Sequence, residues 1–254
     1  MLIDTHCHLD AAEFAGDREA VHAAARATGV DILVVPAVAA NLFPAVQDCC
    51  RRYTGCVPAY GIHPLYVKEA REDDITTLRR WLLTEQPVAV GEIGLDGHVA
   101  DGDPERQAWF FAEQLKLARE FELPVILHVR RAIDQVLKQL RRIRVPGGIA
   151  HAFNGSRQQA GEFIKLGFGL GFGGAMTYSG STRIRELAAT LPLETIVLET
   201  DAPDIPPAWL DRGRNTPAEL PRMAAVLAEL RGMAVSEVAA ATSVNARRLL
   251  SLPP

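Results

Sequence analysis

Pro124-Val125-Ile126-Leu127-His128 is a short apolar, β-branched run that ends in an imidazole, and the chain repeats this design. Such a run reads as a buried strand when a longer segment with helical spacing follows it. Similar runs begin at Leu2-Ile3-Asp4, Ile32-Leu33-Val34-Val35, Val57-Pro58-Ala59-Tyr60 and Val88-Ala89-Val90. After Pro124 they continue with Gly148-Ile149-Ala150, Phe168-Gly169-Leu170-Gly171-Phe172 and Thr195-Ile196-Val197-Leu198. Eight β-then-α units in 254 residues is about 32 residues per unit, the size of an α/β (β/α)₈ TIM barrel. Helix punctuation agrees. Asp103-Pro104 is an N-cap followed by proline at the first helical position, with Ala108, Phe111, Leu115 and Ala118 on one face. Thr216-Pro217-Ala218-Glu219 reads as a capping box opening a helix through about Leu230, with Gly232 ending it. No linker or low-complexity tract divides the chain, so one domain over residues 1–254 is expected.

Composition narrows the function classes. Hydrophobic residues are 48% and charged residues 23%, enough apolar material for a full core and contrary to disorder. A net charge of −4 excludes a whole-surface positive field for gathering nucleic acid or anionic lipid, so any phosphate recognition is local. Four cysteines, Cys7, Cys49, Cys50 and Cys56, are too few and irregular for a disulfide scaffold or a thiolate zinc site. A reduced, cytoplasmic setting is expected, with no signal segment in Met1-Leu2-Ile3-Asp4-Thr5-His6 and no membrane partner.

The strand ends carry the chemistry. Strand one ends in His6 and His8, strand three in His63, strand four in Glu92, strand five in His128, strand six in His151 and strand eight in Asp201. In a parallel barrel these ends share one rim, where barrel enzymes place their active sites. Imidazole and carboxylate converging there is the donor set of a divalent-metal site. Each residue alone has a structural reading: a core histidine for His128 or His151, a salt bridge for Glu92, a helix cap for Asp201. Six such coincidences at one rim are far less expected than any single one. His22 and His98 lie in a helical stretch and a Gly/Asp loop and read as packing or solvent-facing residues, and Cys49-Cys50 as buried thiols on a helix.

Gly169-Leu170-Gly171-Phe172-Gly173-Gly174 formally matches GxGxxG, but glycine alternates there with Phe168, Leu170 and Phe172. The alternation makes the stretch a strand with a bare face rather than a dinucleotide turn. Lys138, Arg141, Arg142 and Arg144 read as a solvated helix face, whereas Arg130 and Arg131 follow His128 at the rim, where a guanidinium can clamp phosphate. Lys68, Arg212 and Arg214 are weaker rim candidates.

His6-Cys7-His8-Leu9-Asp10, Gly61-Ile62-His63-Pro64, Gly91-Glu92-Ile93-Gly94-Leu95-Asp96, His128 with Arg130, His151-Ala152-Phe153-Asn154-Gly155-Ser156 and Glu199-Thr200-Asp201-Ala202-Pro203 together resemble the TatD family of metal-dependent deoxyribonucleases. The wording of the last two motifs is most similar to its bacterial YjjV branch. The resemblance runs from the first residues to Asn245-Ala246-Arg247-Arg248-Leu249. It implies two divalent cations, Mg, Mn or Zn, one held by His6, His8 and Asp201, the other by His128 and His151, with Glu92 between them. Arg130, Asn154, Asp204 and Thr216 depart from residues frequent in the family, which bears on substrate choice rather than on the predicted ligands.

The expected activity is phosphodiester hydrolysis by a two-metal, metal-hydroxide mechanism, as a 3′-5′ exonuclease on single-stranded DNA ends or on another phosphoester. Asp201, Glu92 and His63 are the expected catalytic residues, and His63, Arg130 and Asn154 the substrate contacts. The rival readings are an amide or ester hydrolase or deaminase on the same scaffold, and a non-catalytic metal-binding protein. A monomer is the default for a barrel of this size.

Overall fold

The computed structural model describes residues 1–98 and 103–252. Eight strands, β1 (Leu2–Asp4), β2 (Val30–Pro36), β3 (Cys56–Tyr60), β4 (Ala89–Asp96), β5 (Val125–Arg130), β6 (Gly148–Ala150), β7 (Phe168–Phe172) and β8 (Ile196–Leu198), pair in chain order in one parallel sheet. Hydrogen bonds from Thr5 N to Leu198 O (3.1 Å), Asp201 N to His6 O (2.8 Å) and His8 N to Ala202 O (2.8 Å) draw the two edge strands together. Around them lie α1 (Arg18–Ala27), α2 (Phe43–Arg52), α3 (Asp73–Glu85), α4 (Pro104–Glu120), α5 (Ile133–Arg142), α6 (Arg157–Lys165), α7 (Thr182–Thr190), α8 (Leu220–Arg231) and α9 (Val235–Leu250). This is the (β/α)₈ TIM barrel that the sequence predicts. None of the helices among the described residues is long and apolar enough to cross a membrane.

Alternation along each strand separates two cores. Leu33 and Val35 of β2 face the helices, while Val34 points into the barrel. Ile3, Val34, Ala59, Ala89, Ile126, Ile149 and Val197, one from each strand except β7, form the interior layer. Ala246, Leu249 and Leu250 of α9 pack on that layer and floor the barrel at the end away from the polar rim. On β7 the interior position is Gly169, and a Cβ there would collide with the Leu249 side chain. The glycine strand is therefore a strand with a bare face, as its alternation predicts, and that face receives Leu249 below and Glu199 above.

Two local features differ from the sequence reading. Strands β4 and β5 extend past their apolar runs, β4 to Asp96 and β5 to Arg130, and pair in register along Gly94–His128 and Asp96–Arg130. Gly94 hides that continuity: it takes φ +152° and brings β4 so close to the His128 backbone that a Cβ would clash. The capping box at Thr216 does not form. Residues Pro217–Glu219 make a 3₁₀ turn, and α8 starts only at Leu220. The Glu219 carboxylate instead accepts from Trp209 Nε1 (2.6 Å) and lies 3.5 Å from Arg222, so it is not free to reach back to the cap. Asp103 does cap α4, accepting from Arg106 N at 2.9 Å, and Gly232 ends α8 at φ 63°.

Candidate metal centre

Glu92 is the hub of the rim. It is buried near the middle of β4, and nitrogen atoms of five histidines surround its carboxylate. Oε2 lies 3.2 Å from His6 Nε2 and 3.7 Å from His8 Nε2, on the β1 side. Oε1 lies 3.0 Å from both His128 Nδ1 and His151 Nε2, and 3.4 Å from His63 Nε2. Asp201 completes the β1 side, with Oδ1 3.5 Å from His6 Nε2 and 3.7 Å from His8 Nε2. The structure thus brings His6, His8, His63, Glu92, His128, His151 and Asp201 into one cluster.

Burial shapes the titration of this cluster. Burial, with the neighbouring His151 charge, drives the His6 imidazole well below its usual pKa, so His6 is neutral. The same desolvation raises the Asp201 carboxyl and lowers His63. Burial also works against the Glu92 charge, but the imidazoles of His63, His151 and His6 outweigh it and hold Glu92 well below the carboxylate range. His151 is the counterpart: burial opposes its charge, yet Glu92 lifts it to about 10. An acid and a base pushed apart in this way mark a functional cluster rather than a solvated surface.

The donor set fits divalent cations. His6 Nε2 and His8 Nε2 face each other at 3.2 Å, and both also face Glu92 Oε2 and Asp201 Oδ1. The His6, His8 and Asp201 donor atoms lie within 4.8 Å of one another and can close around one cation. His6, Glu92 and His151, and separately His63, Glu92 and His128, also present atoms within 4.8 Å of one another.

One hydrogen bond sets the His63 tautomer, and carboxylates flank the rings of His128 and His151. His63 Nδ1 accepts from Leu65 N at 3.1 Å, which leaves the proton on Nε2, pointing at Glu92. His128 Nε2 pairs with Asp96 Oδ2 at 3.1 Å, which leaves Nδ1 facing inward. Behind His151, Nδ1 lies 3.7 Å from Glu199 Oε1, an electrostatic contact without a hydrogen bond, and that carboxylate oxygen accepts from Ala152 N. Such carboxylate–imidazole pairs orient metal ligands and set their basicity.

Asp96 and Glu199 stand against His128 and His151, and residue-by-residue reading missed both, although they lie in the quoted motifs. Their signal lies in spacing: Glu199 is two residues before Asp201 on the same inward face, opposite Gly171. Asp4 acts likewise, accepting from Thr200 N (2.9 Å) and Thr200 Oγ1 (2.6 Å) and so joining β1 to the segment that carries Asp201. Two buried glutamines of α4 support the rim from outside. Gln114 pairs with both N and O of Ile62 (2.6 and 3.0 Å), next to His63. Gln107 pairs in the same way with Asp96 (2.9 and 3.2 Å).

The other candidates fall outside the cluster. Arg130 is exposed at the end of β5. Asn154 is exposed on the rim, its Oδ1 accepting from Arg183 at 2.7 Å. Arg214 is committed to Asp17 through two contacts of 2.9 and 2.5 Å and lies over the Phe14 ring, a structural use. His22 bonds Thr54 O at 2.9 Å, consistent with packing, and all four cysteines are free thiols.

The profile described as TatD related DNase matches residues 3–251. The chain is 41% identical to an uncharacterized metal-dependent hydrolase, YjjV of Escherichia coli K12, over 99% of this chain and 98% of the relative. The crystal structure of that TatD homologue superposes with a TM-score of 0.95. A 3′-5′ ssDNA/RNA exonuclease, TatD of Erwinia tasmaniensis, is 34% identical over 99% of this chain and all of its own length. With the strand-end cluster intact and the match running nearly end to end, the chain belongs to the TatD-related DNase family of metal-dependent hydrolases.

Proposed function

We propose that the chain hydrolyses phosphodiester bonds in nucleic acid, releasing nucleotides from single-stranded DNA 3′ ends, with two divalent cations. The observation that carries this reading is the division of Glu92: one oxygen faces His6 and His8, the other His128 and His151. His6, His8 and Asp201 would hold one cation and His128 and His151 the other, with Glu92 available to both. Two divalent cations, of Mg, Mn or Zn, supply positive charge to the scissile phosphate and a reactive nucleophile from water near neutral pH. Their combined charge lets a chain of net charge −4 bind a polyanion at this one place.

The protein's own groups divide the remaining work. Asp201 orients the attacking water and accepts its proton at a carboxylate oxygen. His63, with its proton on Nε2, donates to the scissile phosphate or to the leaving oxygen. Arg130 neutralises a neighbouring phosphate from the rim. Asn154 contacts substrate through its amide nitrogen, since its oxygen is taken by Arg183. The full-length likeness to a protein named as a 3′-5′ ssDNA/RNA exonuclease supports this substrate class.

The test is mononucleotide release from a single-stranded DNA oligomer with Mg²⁺ or Mn²⁺, an EDTA control, and Asp201→Asn in parallel. Metal-dependent release that disappears in the variant is the expected result. A metal-loaded wild type that leaves the oligomer intact overturns the reading, and phosphomonoesters and amides become the substrates to screen.

A further inference from the structure

Beside the metal centre the β2 and β3 loops enclose a groove of about 560 Å³. Leu42, Leu65 and Tyr66 line it together with Glu69, Arg71 and Asp74. Leu65 and Tyr66 are 48% and 42% exposed, two large apolar side chains in succession in the loop after β3. The groove adjoins the site at Tyr66, which neighbours His63. The Tyr66 ring centroid is 6.2 Å from that of His63, at an interplanar angle of 80°, and Tyr66 N donates to His63 O at 2.9 Å.

The loop is held in shape rather than loose. Arg106 Nε donates to Val67 O at 2.6 Å and its Nη2 to Ala70 O, while Arg106 also stacks on Phe110. His63 Nδ1 pins Leu65 N. An exposed tyrosine on a fixed loop is a preformed platform, and every nucleobase has a π face to offer it. Charge sorts the parts of a nucleotide. Glu69 and Asp74 outnumber the one cation of the lining, Arg71, whose guanidinium lies 3.6 Å from Asp73 and whose N donates to Asp74 Oδ2 at 2.7 Å; the net negative lining disfavours a phosphate, while the Glu69 carboxylate can accept from ring or exocyclic N–H groups. The phosphate belongs at the histidines, and the ring it carries belongs one side chain further out.

We infer that this groove is a nucleobase subsite, with Tyr66 stacking on the base of the nucleotide whose phosphate lies at His63. The inference rests on the phosphodiesterase reading for its substrate and adds the part of the substrate recognised. Leu65 and Leu42 complete the apolar wall, and Glu69 faces the base edge.

The test is calorimetric titration of the Mn²⁺-loaded protein with dAMP and with 2-deoxyribose 5-phosphate, which lacks the base. Stacking on one aromatic side chain gives a preference for dAMP of about tenfold or more. In Tyr66→Ala that ratio falls to about one; in Tyr66→Phe, which keeps the ring, it persists. Equal affinities in the wild type, or a preference retained in Tyr66→Ala, overturn the subsite. Hydrolysis of a single-stranded oligomer, run on the same preparations, separates the two readings. A base preference without hydrolysis keeps the subsite and removes the nuclease assignment, whereas hydrolysis without a base preference does the reverse.

Discussion

Glu199 occupies the space that Gly171 leaves empty: a Cβ on Gly171 would overlap the Glu199 carboxylate, which stands behind the His151 ring. Gly171→Ala therefore pushes on His151 through Glu199. We expect a loss of roughly 1–3 kcal/mol in stability from overpacking. Metal affinity falls about 10–100-fold with it, because the partner of a ligand has moved. Thermal unfolding and a Mn²⁺ titration check the two effects separately.

Glu199 and His151 contribute a falling slope to the pH response of the metal-free protein. Burial lifts the Glu199 carboxyl from 4.5 to about 8, and Glu92, against burial, lifts His151 from 6.5 to about 10. Both groups bind more protons folded than unfolded, so their stabilising contribution is full at low pH and is lost as pH rises through those windows. EDTA-treated protein should lose stability from about pH 5 to pH 9, and Glu199→Gln should flatten the part below about pH 8. Urea unfolding across that range is the measurement.

Metal binding has the opposite slope. A ligating His151 must release its proton, so affinity should rise about tenfold per pH unit while His151 is protonated in the free protein. Calorimetry in buffers of different ionisation enthalpy reads the released protons directly.

Gln114→Leu removes the only amide in that side chain and leaves the buried N–H and C=O of Ile62 without their partner. The cost is roughly 1–3 kcal/mol for each group. Since Ile62 precedes His63, turnover should fall further than metal content does. Unfolding by denaturant and metal analysis of the purified variant distinguish the two.

His63→Ala tests the division between ligand and proton donor. Loss of a general acid lowers kcat by about 10²–10⁴-fold. Metal content should stay near that of the wild type, because Nδ1 is engaged by Leu65 N and Nε2 carries the proton. A variant that also loses one equivalent of metal would place His63 among the ligands.

The strands were legible because β-branched runs such as Ile32–Val35 and Pro124–Leu127 are short, apolar and regularly spaced. The rim cluster was legible because six of the eight runs lead into an imidazole or a carboxylate. What escaped were contacts made across the fold. Gln107 and Gln114 look like ordinary polar residues on a helix, and only the arrival of β4 and the β3 loop gives their amides backbone partners. Thr216 failed as a cap for a related reason. Its partner Glu219 is drawn away by Trp209, and the resulting 3₁₀ turn delays α8.

The floor contributed by α9 has a consequence for how the molecule comes into being. The first strand bonds to the last across 193 positions, Thr5 Oγ1 to Leu198 O, and Ser243 Oγ holds Met1 O at 3.2 Å. A growing polypeptide carries His6 and His8 early, but the leucines that close the bottom of the barrel arrive only with α9. The rim therefore gains its fixed shape only once α9 has been made and docked, and a chain that lacks α9 carries the histidines without the vessel that holds them.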